Sequence, residues 1–200
     1  MSQTIGLINY GIAGNITSIK RAAEKAGADV ILVTDKPSLS KADKVILPGV
    51  GSFADAILEL NNLGIINDLQ EAAKKKPFLG ICLGMQILAT VGFEFGETKG
   101  LNFIDAEVRN VKCHGEVPHM GFNSIEIIKP NQLLTGLNGA EFYFMHSFEM
   151  VNYTNVSALT NYHGHKIVSA VNKENIFGVQ FHPEKSRDAG IELFKNFLKI

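Results

Sequence analysis

The first part of the chain alternates short, unbroken apolar runs with amphipathic stretches, and that alternation leaves few folds open. Residues 4–9 (TIGLIN), 30–33, 45–47 and 78–81 (FLGI) are apolar and of strand length. Between them, residues 15–26, 54–63 and 68–76 carry apolar positions at helical spacing: Ile16, Ile19 and Ala23 share one face, and Ile57, Leu58 and Leu60 turn inward on the next. Gly27 and Pro77 end the first and last of these, and a further helix is predicted over residues 83–91. Strands without polar alternation, separated by helices, must be covered on both sides. The pattern predicts an α/β fold of three layers: a central, mostly parallel sheet with helices on both faces.

The remainder of the chain reads differently. Residues 103–111, 123–128, 141–144, 156–159, 166–171 and 176–181 are short strand candidates, divided by the turn pairs His114-Gly115, Asn138-Gly139 and His163-Gly164. An additional antiparallel β region is therefore expected beside the parallel sheet, with a closing helix over residues 187–198. No repeat or linker separates the two regions, so residues 1–200 are expected to form a single domain. A hydrophobic fraction of 46% against 20% charged residues supplies a full core and excludes a disordered chain. A net charge of -1 leaves no basic surplus for nucleic acid or an anionic membrane. No apolar run approaches the roughly 20 residues of a membrane span. The start, MSQTIGLINYG, lacks the basic flank and cleavage site of a secretory signal. A cytoplasmic protein with two free thiols, Cys82 and Cys113, is expected.

Three segments carry chemistry. Gly80-Ile81-Cys82-Leu83-Gly84 lies between an apolar strand and a helical pattern. A nucleophile between glycines at such a turn is presented above the sheet edge, and the following helix start favours a thiolate. The Leu83 N–H is placed to donate to an oxyanion. A buried structural cysteine in a tight turn is the alternative. His182-Pro183-Glu184 follows the strand candidate at residues 176–181. Extended chain puts residues i and i+2 on one side, so Glu184 can fix the tautomer of a His182 that moves a proton. A surface His and Glu at a strand end is the plainer reading of that pair alone. Leu47-Pro48-Gly49-Val50-Gly51-Ser52 follows another strand, and its glycines leave backbone N–H groups that can turn toward a developing charge. A plain turn with Ser52 as helix cap fits it equally.

Other features are set aside. Gly11-Ile12-Ala13-Gly14 lacks the spacing of a dinucleotide fingerprint. Cys113-His114 and His163-Gly164-His165 suggest a metal, but no second cysteine pair or His-Glu-x-x-His run supports one, so no metal and no cofactor are expected and Cys113 reads as a bystander. Phe142, Phe144 and Phe148 read as core, with Tyr143 pointing the other way.

Taken together, GICLGMQ and GVQFHPEKS make the chain resemble the class I (triad) glutamine amidotransferases over nearly its whole length. NYGIAGNITSI, PGVGSF, VPHMGFN and YFMHSFEM are similar to one branch of that family, the glutaminase subunits of imidazole glycerol phosphate synthases. The resemblance implies Cys82 as nucleophile, His182 as general base and acid, and Glu184 as its orienter. It implies Val50, Gly51 and Leu83 as backbone around the oxyanion, and Gln86, Glu94, His146 and Ser147 as glutamine-binding positions. Asn15, Met120, Phe122, Tyr143 and Lys185 would face a partner.

The implied reaction is hydrolysis of L-glutamine to glutamate and ammonia through a cysteine thioester. The implied partner is the cyclase subunit, a (β/α)8 barrel, which uses the ammonia in histidine biosynthesis within a heterodimer. The chain itself has no phosphate cradle or basic cluster for the phosphorylated second substrate. Phe122 stands where the family often has Trp, keeping an aromatic plug without an indole N–H. Three alternatives stay open: a paralogous subunit feeding another synthase, such as one aminating a surface sugar; another branch, such as the pyridoxal phosphate synthase subunit, which lacks the VPHMG segment; and a stand-alone Cys-His-Glu hydrolase.

Overall fold

The computed structural model describes residues 3–11 and 15–200. In chain order, the first elements are β1 (Thr4–Ile8), α1 (Ile16–Lys25), β2 (Asp29–Val33), α2 (Lys36–Ser40), β3 (Lys44–Leu47), α3 (Phe53–Asn62), α4 (Ile66–Ala73), β4 (Phe78–Ile81) and α5 (Leu83–Gln86). The chain then becomes mostly β: β5 (Ala89–Gly92), β6 (Thr98–Lys99), β7 (Ile104–Asn110), β8 (His119–Ser124), β9 (Glu126–Ile127), β10 (Glu141–His146), β11 (Phe148–Val151), β12 (Val156–Tyr162), β13 (His165–Lys173) and β14 (Ile176–Val179). A 3-10 turn, Pro183–Lys185, leads into the closing helix α6 (Arg187–Lys199).

The main sheet runs β2-β1-β3-β4-β14-β13-β12-β9. The first five strands are mutually parallel, and β13, β12 and β9 continue the sheet in antiparallel fashion. Alternation along the central strands divides the core. Val45 and Leu47 of β3 and Phe78 of β4 join the apolar cluster that includes Phe53, Leu60 and Leu69 from α3 and α4. Ile46, Leu79 and Ile81 face the other way, against Ile19 of α1 and Leu193, Phe194 and Phe197 of α6. Strands buried on both faces need no polar alternation, which is why they were legible as continuous apolar runs.

The predicted helix over residues 83–91 is not observed as such. It stops after one turn at Gln86, and Ala89–Gly92 becomes a strand. The Leu88 carbonyl accepts from Phe103 and Ile104 N–H, and Ala89 and Gly92 register with Ile104 and Val108 of β7. A long-range ladder, helped by β-branched Thr90 and Val91, overrides local helical periodicity. The extra β region is correspondingly mixed rather than purely antiparallel: β14, expected among its antiparallel strands, joins the main sheet parallel to β4, and in the second sheet, β11-β7-β5-β6, the β5–β7 pair is parallel. The strand expected over residues 123–128 begins earlier, at His119, and breaks at buried Ile125. The short helix α2 was not anticipated, although Asp35-Lys36-Pro37-Ser38 holds its signal: Asp35 accepts from the Ser38 N–H at 2.8 Å, with Pro37 in the first turn. Of the Gly11–Gly14 turn, residues 12–14 lie outside the described residues.

Parallel neighbours end on a common edge. Tyr10 after β1, Pro48–Ser52 after β3, Cys82 after β4 and Gln180–Glu184 after β14 are thereby gathered at the carboxyl edge of the sheet, although they lie far apart in sequence.

Candidate active site

Cys82 is the first residue beyond β4. Its N–H donates to the Val179 carbonyl at 2.8 Å, completing the β4–β14 ladder, and its backbone then turns to φ 55, ψ -113. A non-glycine residue in this region stores about 1–3 kcal/mol of strain. Gly84 permits the turn: a Cβ there would collide with the Leu47 carbonyl of β3. The one-turn α5 has little dipole of its own, so the expectation that a following helix favours a thiolate is weakened. The positive partner comes instead from beyond the neighbouring strand, β14.

That partner is His182, fully buried. Its backbone N–H donates to the Tyr143 carbonyl at 2.8 Å, and its own carbonyl accepts the Ser186 hydroxyl at 2.6 Å. Ser186 Oγ in turn accepts from the Tyr143 N–H at 2.9 Å, so the corner is fixed from both sides. His182 Nδ1 lies 2.8 Å from Glu184 Oε1, the expected contact, made through the 3-10 turn Pro183–Lys185 rather than through extended chain. The same oxygen accepts from Asn15 Nδ2 at 2.9 Å. His182 Nε2 is buried without a hydrogen-bond partner of its own. Burial alone would push the imidazole down, but Cys82 first and Glu184 second outweigh it and raise His182 to about 10. His182 therefore keeps its proton through neutrality beside the Cys82 sulfur.

Gln180 was not singled out from the sequence. It is buried, and its Nε2 lies 3.7 Å from Cys82 Sγ; the Met145 carbonyl lies 3.9 Å from the same sulfur. The sequence signal was only its place two residues before His182; β14 ends at Val179, and Gln180 lies in the bend that leads to His182.

Several expected positions prove to be differently engaged. Gln86 Nε2 donates to the Phe148 carbonyl and to Gln180 Oε1, both at 3.0 Å, so its amide braces the site from within the protein. Glu94 Oε2 accepts the Phe53 N–H at 2.7 Å at the start of α3. His146, assigned to the glutamine side, has both ring nitrogens occupied: Nδ1 at 2.8 Å from the Phe148 carbonyl, Nε2 at 3.0 Å from His119 Nδ1. A carbonyl only accepts, so His146 Nδ1 carries the proton, and His119 Nδ1 donates to His146 Nε2. His119 Nε2 then accepts from Asn123 at 2.8 Å. Burial pushes His146 down to about 3 and His119 down to about 4, keeping both neutral. The Ser147 carbonyl accepts from Val111 N–H.

Asn15, expected at a partner surface, is buried against Glu184, because its side chain serves the carboxylate instead of capping α1. Met120 and Phe122 are exposed at 56% and 38%. Tyr143, half-buried between core residues Phe142 and Phe144, packs edge-on to Phe122 at 5.5 Å, and Lys185 Nζ lies 5.5 Å over its ring. Leu83 follows Cys82 directly, and Gly49, next to Val50, packs closely on Leu83 and Gly84, with Gly51 at φ 97. Cys113 stands apart, its thiol 3.6 Å from the Gly115 carbonyl. Among the described residues, no group of three or more His, Cys, Asp or Glu side chains could hold a metal ion. No helix among them is long and apolar enough to cross a membrane.

A cysteine thiol, an imidazole with one nitrogen free and the other held by a buried carboxylate, and a glycine-containing loop nearby are the parts that a cysteine acyl-transfer site requires. The family described as Glutamine amidotransferase class-I matches residues 7–200, and the chain belongs to it. Its relatives include imidazole glycerol phosphate synthase subunit HisH 1 of Campylobacter jejuni, 43% identical over 98% of this chain and 100% of that one. The HisH subunit of Caulobacter vibrioides is 40% identical over 98% of both chains. Among solved structures, a putative GMP synthase protein of Thermoplasma acidophilum superposes with TM-score 0.77 at 21% identity, over 100% of this chain and 94% of that one. PurLQS of Thermotoga maritima gives TM-score 0.77 at 19% identity, over 100% and 99%. These two likenesses establish the shared fold.

Proposed function

We propose that the chain is the glutaminase subunit of an imidazole glycerol phosphate synthase, acting over residues 1–200 as one glutamine amidotransferase domain in the cytoplasm. The observation that carries the chemistry is the Cys82–His182–Glu184 array, with Nδ1 of His182 tied to the acid and Nε2 left unpaired. The Cys82 thiolate attacks the side-chain amide carbon of glutamine. The carbonyl electron pair moves to oxygen, where the N–H groups of Leu83 and of the Val50–Gly51 loop can receive it. Protonated His182 gives its proton to the amide nitrogen, the C–N bond breaks and ammonia leaves. Water, losing a proton to His182, then attacks the γ-glutamyl thioester; the C–S bond breaks, and glutamate leaves with the thiolate restored. Glu184 holds the ring in the required tautomer and stabilises the imidazolium.

Ammonia released without an acceptor wastes glutamine. The partner is the cyclase subunit, a (β/α)8 barrel, which receives ammonia within a heterodimer and produces imidazole glycerol phosphate and AICAR. The exposed Met120 and Phe122, with Tyr143 and Lys185 beside them, support a docking face next to the catalytic corner. Reorientation of the Val50 N–H on docking would complete the oxyanion hole, a gain of about 10²–10³ in rate.

The test is Cys82→Ser in the complex with the cyclase. Glutamine-dependent synthesis should vanish while ammonia-dependent synthesis persists, and Cys113→Ser should leave both intact. Retained glutamine-driven turnover would remove Cys82 as nucleophile. Equal glutamate release by the chain alone, by the complex and by the complex with cyclase ligand would favour the stand-alone hydrolase.

A further inference from the structure

Tyr10 is a buried polar group with no part in the reaction described above. It leaves the end of β1, is 2% exposed, and donates its hydroxyl to the Pro48 carbonyl at 2.7 Å. Pro48 opens the loop after β3 that carries Val50 and Gly51. The two glycines of this loop are not equivalent. A Cβ on Gly49 would sit 2.7 Å from Tyr10 Oη, 2.9 Å from Leu83 Cβ and 3.0 Å from the Gly84 nitrogen, so Gly49 is enclosed and serves close approach. Gly51, at φ 97, would carry a Cβ with nothing within 4 Å of it, and so serves backbone conformation. Downstream, Glu94 accepts the Phe53 N–H, and Ser52 Oγ caps α3 through the Asp55 N–H at 3.1 Å. The loop is therefore fastened at both ends. The peptide after the fastened Pro48–Gly49 unit is the one that carries the Val50 N–H.

We infer that the Tyr10 hydroxyl is a positioning group for the oxyanion loop: it fixes the Pro48 carbonyl so that any reorientation is confined to the Gly49–Val50 peptide and Gly51 beyond it. Burial, and then the charge of Cys82, push the Tyr10 phenol far up, so it remains a protonated donor. Tyr10 touches no substrate atom and acts through the loop. Asn15, just before α1, donates to Glu184, the acid beside His182.

The inference rests on the glutaminase reading, and Tyr10→Phe tests it because it removes one oxygen and keeps the ring in the core. Two rates are measured at Cys82 in the complex with the cyclase: γ-glutamyl thioester formation from glutamine by rapid quench and mass spectrometry, and alkylation by iodoacetamide. Only the first needs an oxyanion hole. Acylation should fall about tenfold, the rate equivalent of one neutral hydrogen bond, with KM for glutamine and the alkylation rate unchanged. Unchanged acylation overturns the inference. So does a parallel loss in both rates, which would place the hydroxyl's effect on the thiolate or on the fold. If the wild-type complex forms no thioester, it is the glutaminase reading that falls.

Discussion

Burial pushes the buried histidines of this protein down, and the net direction of each depends on the company it keeps. His182, raised to about 10 by Cys82 and Glu184 against burial, keeps a proton that the unfolded chain loses near 6.5. Its contribution to stability is complete below 6.5 and is lost as pH rises through about 10. His146 and His119, held down to about 3 and 4 by burial, resist protons that the unfolded chain accepts below 6.5, so stability also falls on the acid side. Urea unfolding from pH 4 to pH 10 should show a maximum near neutrality. Cys82→Ala should flatten the alkaline limb and spare the acid limb; superimposable alkaline limbs would remove Cys82 as the group that raises His182. At this scale Cys82, His182 and Glu184 could be singled out because each stands in a local pattern, a glycine-flanked cysteine and an i, i+2 pair, and the His182–Glu184 contact is present. Gln180 and Asn15 were harder to place, because an amide gains a role only from what it is packed against.

At the scale of elements, caps and turns decide where helices stop. The end of α2 is closed from a distance: Lys76 Nζ donates to the carbonyls of Leu39 at 3.1 Å, Ser40 at 3.2 Å and Ala42 at 2.5 Å. Bonds from a charged donor contribute about 1.5–3 kcal/mol, so Lys76→Met should cost about 2 kcal/mol and lower the unfolding midpoint by about 5 °C. Lys76 lies before β4, at the sheet edge opposite Cys82, so glutamine turnover should be unaffected. Calorimetry with a glutaminase assay checks both halves of this expectation. Residues 83–91 behave differently from the helices that were foreseen. The signals for α1 and α3 were local periodicity and stop residues, and those helices form close to where expected. The signal for α5 continuing was also local, yet β7 claims residues 89–92 through a ladder that no window of sequence around them contains.

Across the whole molecule, the apolar side chains of Val117, Met120 and Phe122 remain exposed beside the cation-bearing Lys185 and Arg187, whose guanidinium lies 4.6 Å over the Phe122 ring. Met120→Asp should weaken the complex with the cyclase at least tenfold, while the isolated chain keeps its stability within about 0.5 kcal/mol, as exposed substitutions generally do. Titration calorimetry and urea unfolding separate the two effects; undiminished affinity would move the docking face elsewhere. The sequence by itself determined strands β1 to β4 with helices α1, α3 and α4, and it put Cys82 and the His182–Glu184 pair just beyond strands. Continuous apolar runs, amphipathic spacing and glycine-flanked turns are all encoded within a few residues. Tertiary structure alone decided that Tyr10, Pro48, Cys82, Gln180 and His182 meet at one edge, that Asn15 faces Glu184 rather than solvent, and that both nitrogens of His146 are occupied. The physical reason is that strand order and side-chain pairing depend on contacts between residues distant in the chain, which become definite only once the sheet has assembled.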